Sequence, residues 1–180
     1  MSFNFKKLSI PDLLIIEPSV FKDERGFFFE KYKQSDFDKQ GMPHFVQDNF
    51  SVSKQGVVRG LHYQLPPYAQ GKLISVVKGK VWDVAVDVRK NSAFFGKWVG
   101  VELSEENNLS FYIPPGFAHG FAALSPEVCF LYKCTEEYDH SSERGIVWND
   151  PALAIDWKIN DPIVCERDKK LPLLKDAEVF

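Results

Sequence analysis

The stretch Val57-Val58-Arg59-Gly60-Leu61-His62-Tyr63-Gln64 sets a histidine three residues after an arginine, among apolar neighbours. An imidazole titrates near neutral pH and suits general-base work, and a planar guanidinium suits phosphate oxygens. On a strand, successive side chains alternate between faces, so this odd spacing sends Arg59 and His62 to opposite sides. Gly60 stands between them, and a glycine in a strand often marks a bulge that re-aims the residues after it. With a bulge, both side chains point into one cavity. Without one, the stretch is a core strand with a snorkelling arginine and a hydrogen-bonded histidine. His119 is the other histidine in apolar surroundings, whereas His44 and His140 lie in polar loops and read as surface. Lys72 and Arg59 are cations available to hold developing negative charge. Tyr132 reads either as a proton donor or as a core tyrosine with a satisfied hydroxyl.

The elements that must position these residues are short and extended. Residues 13–17 read as a strand closed by Pro18, and residues 23–26 as a charged turn after which 27–32 continue extended. Ser35, with Asp38 three residues on, is expected to cap a short helix that Gly41 and Pro43 end. Residues 46–52 alternate, 65–71 form a loop, and 73–77 with 81–88 read as the clearest hairpin, turning at Lys78-Gly79-Lys80. In its second strand Trp82, Val84, Val86 and Val88 share one face; Val81, Asp83, Ala85 and Asp87 share the other. A face with two aspartates is either solvated or lines a polar cavity. Charged residues are seldom fully buried unless paired, so the solvated face is expected. Further strands are expected at 98–103, 111–113 and 128–134, the last with Val128, Phe130, Tyr132 and Cys134 on one face. Short pieces come after these at 145–148 and 154–157. Many short strands between Gly/Pro turns imply an all-β barrel or double-sheet sandwich with little helix.

At 180 residues the chain is expected to form one domain over 1–180 with a core that needs no staples. A net charge of -3 and no basic run argue against a nucleic-acid surface. The content of 16 Phe, 6 Tyr and 4 Trp suits sheets and pocket walls. Cys129 and Cys134 would face opposite ways on one strand, roughly 16 Å apart and beyond disulfide reach. With Cys165 the count is odd, which fits a reducing, cytoplasmic setting. The apolar run 13–16 is too short for a signal peptide's core or a membrane span.

Pro114-x-Gly116-x-x-His119 resembles the second motif of the cupins, a jelly-roll barrel family. Metal-binding cupins carry His-x-His in the first motif; here His62-Tyr63-Gln64 lacks the second imidazole and Lys72 stands where a Glu is wanted. A carboxamide is a poor substitute for imidazole, and a cation repels a metal, so the expectation is a cupin barrel without metal.

A closer resemblance runs through nearly the whole chain. It is carried by residues 21–30, Phe45-Val46-Gln47-Asp48-Asn49, residues 58–64, Gln70-Gly71-Lys72-Leu73 and residues 83–89. Residues 113–121, Phe130-Leu131-Tyr132-Lys133 and Trp148-Asn149-Asp150 complete it. In this order the blocks resemble the dTDP-4-dehydrorhamnose 3,5-epimerase family. The resemblance implies a homodimeric enzyme that uses no metal or organic cofactor. It acts on a dTDP-linked 4-keto-6-deoxyhexose, with His62 as base, Tyr132 as acid, Lys72 at the enolate and Asp168 as the base's partner. It further implies a nucleotide-sugar site drawn from Arg25, Glu30, Gln47, Asn49, Arg59 and His119. Glu143 and Arg167 are nearby, and Tyr138 stacks on thymine. Arg25 and Glu30 would serve the neighbouring subunit's site. Two other readings stand beside it: epimerisation at a single carbon on the same fold, and a cupin that only binds a sugar nucleotide. A metal-dependent oxygenase is disfavoured by the missing His-x-His.

Overall fold

The computed structural model describes residues 2–180. The chain opens with β1 (Phe3–Lys7), β2 (Leu14–Pro18), β3 (Phe21–Asp23), β4 (Gly26–Phe28) and the short helix α1 (Gln34–Asp38). The body comes next: β5 (Gln47–Lys54), β6 (Val58–Gln64), β7 (Lys72–Lys78), β8 (Lys80–Asp87), β9 (Trp98–Ser104), β10 (Ser110–Ile113), β11 (Phe117–Ala123), β12 (Glu127–Cys134) and β13 (Glu143–Gly145). A short helix, α2 (Glu166–Lys169), and a 3₁₀ turn, Leu174–Asp176, end it.

Two antiparallel sheets face each other, one ordered β1-β2-β10-β7-β12-β5 and the other β13-β6-β11-β8-β9; β3 and β4 form a separate two-stranded arm. This is the all-β jelly-roll of the cupins, with only short helices. Between the sheets, Ile74, Phe111 and Phe130 of the first meet Val81, Leu103 and Phe121 of the second. Burying a side chain such as Phe130 fully is worth about 1.5–3 kcal/mol.

The five-stranded sheet is covered on its other face as well. Val84 and Val86 of β8, with Val88 just after it, pack against Leu153, Trp157 and Val164 from the chain beyond β13. With both faces buried, β8 reads as a nearly continuous buried run rather than a half-wet strand. α1 packs Phe37 against Phe3, Ile16 and Tyr112 on the outer side of the six-stranded sheet.

Several expectations need correction. β7 and β8 do not pair with each other, although a single residue joins them; they lie in opposite sheets. Gly79 turns the corner at φ +79°, and a Cβ there would come within 2.3 Å of the Glu127 carbonyl oxygen. The turn residues are local, but the choice of partner strand is not. The Asp83 and Asp87 face is buried, not solvated: both residues are 0% exposed. Neither is left without a partner: Asp87 is ion-paired with Arg89 (2.6 Å), and Asp83 is hydrogen-bonded to His119 (3.0 Å). Ser35 does not cap α1; the N-cap is Lys33, two residues earlier, with no side-chain cap. Residues 29–32 leave the strand, and 154–157 form no strand. β1 is an addition, paired with β2 from Phe3↔Pro18 to Lys7↔Leu14.

Candidate active site

β6 carries one residue more than its neighbour. His62 pairs with His119 and Arg59 with Phe121, so three steps on β6 match two on β11. That is a bulge, and Gly60 sits in it at φ +117°. A Cβ on Gly60 would come within 2.6 Å of the Gly120 Cα, so no other residue fits this approach. The bulge does two things. It turns Arg59 and His62 into one cavity of about 490 Å3. It also frees the Gly60 N–H from the ladder, and that N–H donates to Asp168 Oδ2 (3.0 Å).

The other Asp168 oxygen meets His62 Nε2 at 2.8 Å. An ionised carboxylate only accepts, so Nε2 carries the proton and Nδ1 keeps the lone pair. Burial alone would raise the Asp168 pKa, but the His62 hydrogen bond and charge, with the Gly60 N–H, hold it below the ordinary carboxylate range. The resulting dyad is an imidazole whose Nε2 donates to an ionised carboxylate and whose Nδ1 is left to accept.

Lys72 enters the same cavity from β7, its Nζ 3.4 Å from the His62 carbonyl oxygen. Burial pushes its pKa down, and the charges of Asp83 and Glu143 are among those that pull it back. Tyr132 projects from β12 into the cavity, and burial raises its pKa, so the phenol is protonated at neutral pH. The cavity floor holds a second pair, His119 Nε2 with both oxygens of Asp83 (3.1 and 3.0 Å). Burial pushes His119 down and Asp83 up, against the pull of each on the other.

The cavity thus gathers Arg59, His62, Lys72, His119, Tyr132, Arg167 and Asp168 of the expected residues. Arg59 is held at the mouth by Nε to Ser53 Oγ (3.1 Å). Glu143, Tyr138, Gln47 and Asn49 form a chain beside it. The Tyr138 hydroxyl donates to Glu143 (2.8 Å), and Glu143 is ion-paired with Arg167. The Tyr138 N–H donates to Gln47 Oε1 (2.9 Å), and the Gln47 amide donates to Asn49 (3.0 Å). Arg25 and Glu30 do not reach this cavity. Arg25 pairs with Asp23 on the β3–β4 arm, and Glu30 lies 3.7 Å from Lys33. Sequence reasoning missed Asp83; its place on the face opposite Trp82 was visible, but its partner lies on another strand. Gln64, where the second imidazole of a metal cupin would stand, gives its amide hydrogens to the Tyr68 and Glu137 carbonyls (2.6 and 3.2 Å). Among the described residues, no three His, Cys, Asp or Glu side chains gather as a metal ion requires. No helix among them is long and apolar enough to cross a membrane.

A jelly-roll cavity with a His–carboxylate dyad, an enclosed lysine and a protonated tyrosine defines a cupin built for proton transfer. The family model described as dTDP-4-dehydrorhamnose 3,5-epimerase matches residues 7–176, and the chain belongs to that family. It is 52% identical over 179 residues to a dTDP-4-dehydrorhamnose 3,5-epimerase of Shigella flexneri, covering 98% of this chain and 99% of the relative. It superposes with a TM-score of 0.94 on the dTDP-4-dehydrorhamnose 3,5-epimerase of Elizabethkingia anophelis, at 51% identity and 98% coverage of both chains. A third likeness is to the dTDP-6-deoxy-D-glucose-3,5-epimerase of Legionella pneumophila, solved in complex with dTDP-4-keto-L-rhamnose. The TM-score is 0.93 at 48% identity, covering 97% of this chain and 94% of that one.

Proposed function

We propose that this cavity epimerises dTDP-4-dehydro-6-deoxy-D-glucose at carbons 3 and 5, giving dTDP-4-dehydro-L-rhamnose, a step of dTDP-L-rhamnose biosynthesis. The observation that carries the reading is the 2.8 Å contact of His62 with Asp168 in a cavity shared with Lys72 and Tyr132. Both protons to be removed are α to the ketone. His62 Nδ1 takes one, and Asp168 stabilises the imidazolium so formed. Charge moves to the ketone oxygen, where the Lys72 ammonium meets it. Tyr132, still protonated, returns a proton on the opposite face. Inversion results because donor and base stand on different faces. The chain's own side chains supply base, acid and positive charge, so the reading uses no cofactor and no metal.

Arg59 and Arg167 suit the diphosphate, with His119, Gln47 and Asn49 around the sugar nucleotide and Tyr138 and Glu143 at its base. The reading includes a homodimer. The β3–β4 arm exposes Phe21, Phe27 and Phe28, each more than half exposed, beside Arg25. Such a surface supports an arm that enters a second copy and brings Arg25 and Glu30 to its site. A cytoplasmic setting is consistent with three free cysteines.

The test is proton NMR of the 4-keto sugar nucleotide in deuterated buffer, scoring exchange and inversion separately. Wild type exchanges and inverts at both carbons. Tyr132→Phe keeps the ring and loses the hydroxyl, so exchange persists while inversion falls further. A protein that binds the sugar nucleotide and exchanges nothing would overturn the reading, and exchange at one carbon alone would narrow it.

A further inference from the structure

Neither sheet carries Asp168. It rides on the segment 163–180, which lies along the outer face of the five-stranded sheet with Val164, Leu174, Val179 and Phe180 against the Val84–Val86–Val88 cluster. The segment is stitched on before α2, where the Val58 N–H donates to the Ile163 carbonyl (3.0 Å) and the Ile163 N–H to Gly56 (2.7 Å). Beyond α2 backbone hydrogen bonds join Pro172 to Val147 and Phe180 to Val88 and Lys90, and two buried side chains hold it as well. Asp150, 3% exposed, accepts from the Ala152 N–H through Oδ1 (2.8 Å) and from the Leu174 N–H through Oδ2 (2.7 Å). Tyr63, also 3% exposed, donates its hydroxyl to the Glu178 carbonyl (2.5 Å). Neither residue lines the reaction cavity.

The arrangement has a logic set by strand alternation. His62 and Tyr63 are neighbours on β6, so one faces the cavity and the other faces out. The same strand therefore grips the imidazole on its inner side and, on its outer side, the segment that delivers the carboxylate to that imidazole. Asp150 closes the Trp148-Asn149-Asp150 block, which has no part in the cavity and finds its use here.

We propose that Tyr63 and Asp150 are positioning residues of the reaction: by tying segment 163–180 to the sheet they hold the Asp168 carboxylate against His62. The inference rests on the reading of His62–Asp168 as the base dyad. Misplacing a catalytic group by about 1 Å can cost about 10²-fold in rate. Freeing the strap draws Asp168 from His62 and costs kcat; Arg167 rides the same segment and adds a rise in KM, so the two parameters are read separately.

The experiment compares Tyr63→Phe, Asp150→Asn and their double variant, each made in the wild-type and in the Asp168→Asn background. Phe keeps the Tyr63 ring. Asn keeps the Asp150 shape but places an amide hydrogen donor against one of the two N–H groups. The double variant is expected to lose about 10- to 100-fold in kcat, and to shift the pH–rate profile in the same direction as Asp168→Asn. In the Asp168→Asn background the same changes should cost no further kcat, because the group they position is gone. Equal kcat losses in both backgrounds would mark a general structural role and overturn the proposal, as would unchanged kcat in the double variant. Where the double variant does not fold by circular dichroism, Tyr63→Phe alone decides by the same pair of backgrounds. Full activity of Asp168→Asn by itself would instead sink the dyad reading on which the proposal rests.

Discussion

Two histidine–carboxylate pairs stand side by side in this barrel, His62 paired in register with His119 across β6 and β11, yet they are built for different work. His62 keeps 29% of its side chain exposed, and its partner arrives from a separate segment. His119 keeps 8%, and its partner Asp83, on the adjacent strand, is fully enclosed beside Lys72. Gaining charge costs desolvation, and that cost is what separates them. His62 opens on the cavity with an ionised carboxylate behind it, so it can pass through the imidazolium during turnover. His119 has the same chemistry on paper, but burial holds it neutral and makes it a fixed dipole at the floor. Side-chain identity therefore does not name the base; access to water and substrate does.

The sharpest way to break this comparison is to remove each ring. His62→Ala is expected to lower both product formation and solvent deuterium uptake by about 10²–10⁴-fold. His119→Ala should leave deuterium exchange measurable while binding weakens. If His119→Ala abolished exchange and His62→Ala did not, the two roles would be reversed.

Next in size is the cation between the pairs. Lys72→Met keeps the stem and removes the charge that the proposed reading sets against the enolate oxygen. The barrier should rise by about 2.7–4 kcal/mol, read as a kcat loss of about 10²–10³-fold in steady-state kinetics. A loss confined to KM would move Lys72 from the reacting centre to the nucleotide.

Arg59 shares β6 with His62, and the proposed reading gives it to binding. Arg59→Ala should raise KM by about 10-fold, the scale of one charge-assisted hydrogen bond, and leave kcat near its wild-type value. A kcat loss at constant KM would place Arg59 at the sugar.

The smallest effect separates the two carboxylates by the sign of their pH dependence. Asp168 is held below its unfolded value, so its contribution to stability is present above that value and is lost as pH falls through the folded one. Asp83 is pushed up by burial, so the folded protein binds its proton more readily and stability falls as pH rises above the unfolded carboxylate value. Unfolding midpoints from about pH 3 to 7 test this. Asp168→Asn should lessen the acid loss of stability, and Asp83→Asn should remove a decline on the side of rising pH. The same sign in both variants would contradict the contrast.

Much of this molecule was legible before any coordinates. The strand-rich architecture, the inward face Val128–Phe130–Tyr132–Cys134 and the special place of Gly60 beside Arg59 and His62 come from alternation, turn residues and glycine's freedom at positive φ. The ordered blocks pointed to the family and to Asp168 on a segment with no sharp motif of its own. Other features were out of reach for one shared reason: each depends on a partner distant in sequence. β7 and β8 are joined by one residue, and local turn chemistry reads as a hairpin, but each found other neighbours. Asp83 looked like a solvated residue because its histidine lies 36 positions away.

What the sequence by itself determined is the menu: strands of a given period, a glycine at position 60 that permits a bulge, and histidine, lysine, tyrosine and carboxylate side chains with the right intrinsic chemistry. Only the tertiary structure decided which of them meet, which stay wet, and which histidine can change its charge. Those outcomes turn on desolvation and on contacts between residues as far apart as His62 and Asp168, 106 positions along the chain. Period and propensity are local and carry no information about either.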